Sequence, residues 1–414
     1  MIKGIKIKTY KELTKNKDIY KYNKPDMVYI PLACGMDKNV SVLVNKKDYV
    51  YKGQVLGNRL GNLKIPIISS VSGIVQDIKE MTYIDNSKVK CVVIKNDFKE
   101  EERHTKKDVN KITKEEFINI LKEAGIRGQG GADFPTYIKY DNQNINYLIV
   151  NAIECEPFIT CDYMVLKTKP KEILEAIDAI MEINKIKKCY IAIKKNNREI
   201  INIYNEYIGM YPKIVFYETK NIYPMGWERN LIKEILKEDY DRLPIEKNIV
   251  VNNLQTIYAI YQALFQDKKY TKRVFTITGL ENSININVEA KIGTRIIDII
   301  EELGTINKDY NIIANGPMMG KIVDIEDLVL SSNLNCLLVL PKKEYEETKC
   351  LRCAKCTENC PANLSPILIK ENIKDKETLK KLTPNKCIEC GLCSYICPAK
   401  INLRDYVIKA KEVK

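Results

Sequence analysis

The 414-residue chain carries fourteen cysteines, and eight of them fall in two runs near its C-terminal end. The first run is Cys350-x-x-Cys353-x-x-Cys356-x-x-x-Cys360-Pro361; the second is Cys387-x-x-Cys390-x-x-Cys393-x-x-x-Cys397-Pro398. Gaps this short let the backbone wrap an iron–sulfur cube, with amides aimed at its sulfides, and the fourth cysteine of each run serves the other cluster. The spacing predicts two [4Fe–4S] clusters. One uses Cys350, Cys353, Cys356 and Cys397, and the other Cys387, Cys390, Cys393 and Cys360. The proline after each fourth cysteine stops local helix and turns that ligand toward the neighbouring site. Zinc is the competing reading, but zinc sites take four ligands in two separated pairs. Two four-cysteine runs, each closed by Cys-Pro, do not fit that pattern. Linked clusters relay electrons, so the rest of the chain must hold a donor site.

Polar groups that could build such a site stand where strand-like runs end. Gly125-Ile126-Arg127-Gly128-Gln129-Gly130-Gly131 follows a predicted helix, and its glycines free backbone N–H groups to face an anion. On its own this is also what a tight turn looks like. Asn151-Ala152-Ile153-Glu154-Cys155-Glu156-Pro157 directly follows the apolar strand Tyr147-Leu148-Ile149-Val150, the position where α/β ligand sites form. Tyr223-Pro224-Met225-Gly226-Trp227-Glu228 follows another strand, and Val250-Val251-Asn252-Asn253 ends a third. Several polar clusters at strand ends predict one composite pocket. The single histidine, His104, lies in the charged stretch 99–107, which reads as a solvated linker, so histidine-based catalysis is not expected.

Four regions must position these groups. Residues 1–97 read as mostly β, with strands at Val28–Leu32, Val40–Val44, Gly73–Ile78 and Val89–Ile94. A charged stretch at 98–112 forms the first boundary. Thr113 and Glu116 make a capping-box pattern for a helix ending near Glu123. Beyond it, strands alternate with helices up to 265, which predicts a largely parallel, Rossmann-like sheet. Residues 272–332 read as a small β-grasp unit, and 345–414 hold the cysteines. Cys189 and Cys336 sit in strand-like apolar runs and read as inert core residues.

No apolar stretch approaches the ~20 residues of a spanning helix, and the first residues lack the apolar core of a signal peptide. A cytoplasmic protein is expected, peripheral on the cytoplasmic face of a membrane only through partner subunits. The formal net charge is +13, or roughly +9 once clusters and thiolates are included. Lysines are spread along the chain, so nucleic-acid binding is not predicted. The basic surface suits an acidic electron carrier or an anionic membrane face, or simply solubility.

Taken together and in this order, these motifs resemble the RnfC family, the peripheral NADH-oxidising subunits of the Rnf ion-pumping complex. The middle of the chain is also similar to the flavin-bearing subunit of respiratory complex I. Lys52-Gly53-Gln54-Val55-Leu56-Gly57 and Ser69-Ser70-Val71-Ser72-Gly73 resemble the family's barrel-sandwich domain, which is itself similar to lipoyl carriers. The Gly128–Thr136 loop, Asn151–Pro157, Tyr223–Glu228, Asn252-Asn253 and Gly316-Pro317-Met318-Met319-Gly320 match further family pieces.

The resemblance implies a multidomain α/β protein. It would have a barrel-sandwich docking domain (1–100), a Rossmann-like FMN/NADH-binding domain (113–265), a soluble-ligand-binding β-grasp domain (270–332) and a two-cluster ferredoxin-like domain (345–414). It also implies FMN as cofactor and NADH as electron donor. Gly128, Gly130 and Gly131 would line phosphates and Phe134 would cover the nucleotide. Asn151, Glu154, Glu156, Gly226, Glu228, Asn252 and Asn253 would bind the flavin. No side-chain acid or base is needed for hydride transfer to a flavin.

Three positions depart from the family pattern. Lys3-Gly4-Ile5-Lys6-Ile7 replaces a Gly-Gly-x-His-Pro opening. Asp133 stands where glycine is usual, and a carboxylate beside the nucleotide would repel phosphate. Cys161 stands where Ser or Ala is usual, as either a redox thiol or a small buried residue. The expected function is NADH oxidation on FMN, with electrons leaving through the clusters to a protein acceptor. That acceptor is either the Rnf membrane subunits or, in a paralogue, a soluble reductase such as D-proline reductase. The alternative is a non-enzymatic, ferredoxin-like carrier on a degenerate flavin fold.

Overall fold

Thr113 accepts from the Glu116 N–H and Glu116 accepts from the Thr113 N–H, so the capping box is closed and the helix runs Lys114–Glu123. The computed structural model describes every residue except 1, 34–38, 62, 103–110, 132, 142–143, 282, 308, 344–345 and 414. His104 and its linker reading lie outside the described residues.

Downstream of that helix, four parallel strands form one sheet in the order Ile214–Thr219, Lys188–Lys194, Tyr147–Asn151, Ile249–Asn253. Their side chains alternate between two cores. Leu148, Val150, Ile191 and Val250 face one, with the helices Pro170–Ile183 and Leu254–Gln266. Ile149, Ala192, Ile249 and Val251 face the other, with the helix Glu228–Ile235. Cover on both faces is why the strands read as unbroken apolar runs. Strand order reverses between Tyr147–Asn151 and Ile249–Asn253, and ligands of open α/β sheets bind beyond the carboxyl ends at such a point.

The N-terminal region forms two antiparallel sheets. One orders Met27–Pro31, Lys88–Asn96, Gly73–Thr82 and Tyr49–Val50; the other orders Val40–Val42, Val55–Arg59 and Pro66–Ile68. Val28, Ile30, Leu56 and Val92 fill the space between them.

A fourth, six-stranded sheet contains Lys272–Gly279, Ile286–Lys291 and Tyr310–Ala314, with the helix Ile296–Leu303 packed on it. It extends past 270–332 at both ends. Ile19–Tyr22 adds an edge strand, Ile19 pairing Asn287, and Cys336–Pro341 lies inside the sheet between Lys272–Gly279 and Tyr310–Ala314. The physical reason is burial. Cys336, Leu337 and Leu338 are fully buried, and a run apolar on both faces is most stable between two strands.

The cysteine domain repeats itself. A short helix lies within each run, Lys355–Glu358 around Cys356 and Leu392–Tyr395 around Cys393. Left-handed residues also recur in pairs, Arg352 with Glu389, Ala354 with Gly391 and Asn363 with Lys400, at the offset that separates Cys350 from Cys387. The helix Leu403–Glu412 closes the domain. Among the described residues, no helix is long and apolar enough to cross a membrane.

Candidate functional site

Parallel register sets Asn151 beside both Ala192 and Asn253, so the strand ends around the reversal point carry two asparagines side by side. Asn253 caps the helix that follows, its side chain accepting from the Gln255 N–H at 2.9 Å. Its amide donates to Asp162. Asn151 donates to the Gly226 carbonyl at 2.8 Å and accepts from the Ile153 N–H at 3.2 Å. Asn252 is turned inward, 2% exposed, and donates to the Tyr140 hydroxyl.

The Gly-rich segment is a narrow hairpin. Its neck is closed by the Gly128 N–H to Phe134 carbonyl bond, 2.8 Å, and by Thr136 N–H to Ile126, 3.0 Å. One flank rests on the N-terminus of the Leu254 helix. A Cβ at Gly130 would come within 3.2 Å of the Asn253 side chain, whereas Gly131 meets nothing within 4 Å. The tip is thus a backbone cradle that opens beside the strand ends, the setting that suits a phosphate. Glu228 opens its own helix, accepts from Tyr240 at 3.3 Å and lies 3.9 Å from Lys139.

Beyond the Asn151 strand, Glu154 and Glu156 point to different neighbours. Glu154 accepts from Lys11 at 3.2 Å and from the Asp162 N–H at 2.8 Å. Donor atoms of Glu154, Cys161 and Asp162 lie within 4.8 Å of one another, but the Lys11 ammonium already supplies a cation there. Burial pushes Glu154 up to about 7, with Lys11 pulling the other way. Lys194, buried at the end of its strand, is pushed down to about 8 by burial and by Lys11. Cys161 is buried, its thiol against the Asn335 carbonyl at 3.6 Å and held protonated by burial and neighbouring acids. That places it as a small core residue.

Glu156 reaches toward the cysteine domain. It accepts from the Met318 N–H at 2.6 Å, from the Met319 N–H at 3.1 Å and from Tyr223 at 3.4 Å. Burial pushes its carboxyl up to about 7 against those donors. The Tyr223 hydroxyl also donates to the Cys390 carbonyl at 2.6 Å. Arg404 fastens the same seam, donating to the Met319 and Gly320 carbonyls at 2.7 and 3.2 Å. Cys155 packs with Tyr223, Met318 and Cys390, and a Cβ at Gly226 would approach its sulfur to 3.1 Å.

Cys360, from the first run, lines one cavity with Cys387, Cys390 and Cys393 from the second. Cys350, Cys356 and Cys397 pack against Ala399, Ile401 and Leu403, as does Cys393 of the other set, and Cys353 is exposed. Burial pushes the Cys390 and Cys393 thiols up to about 12, and the charges of Cys387 and Cys360 add to the rise. Four thiolates this close repel one another unless a cationic core sits among them, so the quartet fits an iron–sulfur cluster. Left-handed Arg352 and Glu389 turn their N–H groups onto the Cys350 and Cys387 sulfurs, each at 3.3 Å. The open Gly130–Gly131 tip has the free backbone that a phosphate needs, while the Asn151 and Asn253 amides are already bonded to Gly226 and Asp162.

Sequence reasoning missed Lys11, Asp162, Lys194 and Arg404. Asp162 sits one residue past Cys161 and could have been read with it. The others carry no local signal, because their partners are more than eighty residues away or are met only in the fold.

Residues 1–99 match the RnfC barrel sandwich hybrid domain, 121–262 the Nuo51 FMN-binding domain and 349–401 the 4Fe-4S dicluster domain. The C subunit of the proton-translocating ferredoxin:NAD(+) oxidoreductase complex of Clostridium ljungdahlii is 30% identical, over 87% of this chain and 81% of that protein. The C subunit of the Na(+)-translocating complex of Acetobacterium woodii is 30% identical, over 84% of this chain and 81% of its own. The C subunit of the ion-translocating oxidoreductase complex of Vibrio cholerae is 31% identical over 85% of this chain, which spans about half, 47%, of that longer relative. Among solved structures, an NAD+-reducing [NiFe]-hydrogenase in its H2-reduced state superposes with a TM-score of 0.51 at 15% identity, over 74% of this chain and 61% of that one. That likeness concerns the fold.

Proposed function

Because this chain belongs to the RnfC family, we propose that it is the NADH-oxidising, electron-relaying subunit of an Rnf-type ion-translocating complex, docked on membrane partner subunits. FMN, when bound, converts two-electron hydride chemistry into single-electron transfer, which two [4Fe–4S] clusters relay. The observation that carries this reading is the shared residue Tyr223: its hydroxyl stands 3.4 Å from Glu156, just past the end of the Asn151 strand, and 2.6 Å from the Cys390 carbonyl of the buried quartet. A donor site and a relay are thereby joined in one chain.

The residues divide the work by place. Gly128, Gly130 and Gly131 present the cradle, while Asn151, Asn253 and Gly226 form the floor at the strand ends. Phe134 holds the hairpin neck through its carbonyl. Asn252 supports the floor from beneath through Tyr140. Neither glutamate is free to act as a general base, since Glu154 is engaged by Lys11 and Glu156 by two backbone N–H groups.

The two thiol sets also differ in exposure. Cys390 is 8% exposed and Leu392 fully buried against the flavin-side domain, while Leu351 is 66% exposed and Cys353 open to solvent. The Cys387 set is the proximal relay station and the Cys350 set the distal one, facing the acceptor.

Anaerobic titration of the reconstituted protein with NADH, followed by visible absorbance, tests the reading. Flavin and cluster bands should bleach together. Clusters that respond to dithionite but not to NADH would leave only a carrier, and the dehydrogenase assignment would fall.

A further inference from the structure

Asp133 occupies a left-handed backbone position, φ 55°, that glycine would adopt without strain. Its side chain does not face the cradle. It is turned away from the tip and is 1% exposed, with one oxygen 3.3 Å from Arg127 and accepting from Ser332 at 2.9 Å. Arg127 stands at the opposite side of the hairpin neck, bridged to Pro135. It also donates to Ser332 at 3.3 Å and to the Pro66 carbonyl at 3.4 Å. Ser332 is fixed in turn, because its carbonyl accepts from Tyr270 at 3.2 Å and from Arg273.

One buried ion pair therefore ties the Gly-rich hairpin to two other domains. Pro66 lies on a barrel-sandwich strand, and Ser332 leads into the Cys336 strand of the six-stranded sheet. The same barrel-sandwich edge receives a second bond from this region, Tyr137 to the Lys64 carbonyl at 2.8 Å. On its other flank the hairpin is held by Gln129, whose N–H meets Thr256 at 3.1 Å and whose amide meets the Gln255 carbonyl at 3.1 Å. With both flanks anchored, only the Gly130–Gly131 tip is left open.

We infer that Asp133 is a positioning residue: paired with Arg127 and Ser332, it holds the Gly-rich hairpin in the shape that receives a phosphate ester. This rests on the flavin reading of the site. The carboxylate does not repel the ligand, since its charge is met by the Arg127 guanidinium and directed away from the cradle. Holding the loop before the ligand arrives lowers the ordering cost of binding. The phosphate belongs either to FMN or to NADH, and the two are separable by experiment.

The test uses the full chain with its clusters reconstituted. FMN affinity is read from flavin fluorescence quenching, and NADH affinity from KM in cluster reduction. Asp133→Gly, which relieves the backbone and removes the charge, should weaken one of the two by roughly tenfold. A loss in FMN affinity assigns the cradle to the flavin phosphate, and a loss confined to KM assigns it to the nucleotide. Asp133→Asn should fall between, since it keeps the Ser332 bond. The double variant Arg127→Met with Asp133→Gly removes both buried charges and should regain thermal stability. If the pair only stabilises the fold, binding will recover with stability; if it positions the loop, binding will stay weak. Asp133→Gly protein that binds both ligands as tightly as wild type, or more tightly, would overturn the assignment. Wild-type protein that takes up neither ligand would overturn the flavin reading itself, and this inference with it.

Discussion

Glu154 and Glu156 are two positions apart and look alike in the sequence, yet they serve opposite ends of the site. Glu154 meets Lys11 from the N-terminal segment, and Glu156 meets the Met318 loop. The Glu154 carboxyl titrates near 7 in the fold against an ordinary 4.5. Its folded value is raised, so the stability it contributes is complete below the ordinary value and lost as pH rises through about 7. Thermal midpoints of wild type and Glu154→Gln should therefore diverge between pH 6 and pH 8, with wild type losing more over that interval. Equal slopes would sink this account. Lys11→Met strips the cation from a buried carboxylate and should cost about 3 kcal/mol at pH 8. The cost should shrink at pH 6, where Glu154 takes up a proton instead.

At the scale of elements, the paired cysteine runs show how one local structure takes two roles. Ala354 and Gly391 occupy equivalent left-handed positions, φ 57° and 72°. Only the second is glycine, and the reason is its neighbour: a Cβ at Gly391 would sit 2.1 Å from the Met318 carbonyl. Ala354 is exposed and has room for its methyl group. Gly391→Ala should push the proximal station off the Met318 loop while leaving both thiol sets intact. A displacement of ~1 Å can cost up to ~100-fold in rate at a reacting centre. NADH-driven cluster reduction should slow in stopped-flow absorbance, with dithionite reduction unchanged. Ala354→Gly should change neither, and equal slowing in both variants would remove the contact argument.

At the scale of the whole molecule, the chain carries a formal +13. Its open cysteine run, with Leu351 and Cys353 exposed, has Lys349, Arg352 and Lys355 as chain neighbours, and Glu346, Glu347 and Glu358 close by in sequence. A net basic molecule steers acidic electron carriers, and screening by salt weakens the attraction. Electron transfer to a small acidic carrier should fall by about tenfold between low and physiological ionic strength. Arg352→Glu should reduce the low-salt rate with little effect at high salt. A rate indifferent to both would mean that the acceptor docks elsewhere.

The local chemistry could be read from residue types alone. Eight thiols at fixed short gaps, alternating apolar strands and helices, and a Thr113–Glu116 cap each depend on neighbours a few positions away, so spacing suffices. The RnfC resemblance rested on the same kind of short motif. Other features depend on contacts far apart in the chain. Asp133, which by type and position reads as a repulsive charge at the cradle, faces Arg127 and Ser332 because the six-stranded sheet folds back against the hairpin. Asn252 and Asn253 are adjacent, but strand alternation sends one into the core and leaves the other at the site. Cys336 joins a sheet begun by Ile19–Tyr22, which no spacing connects to it. Two identical cysteine motifs become inner and outer stations because the Tyr223–Met318 surface covers only one of them. Spacing fixes which groups can act on a common ligand; burial and long-range packing fix which of them are already engaged inside the fold and which cysteine run is covered.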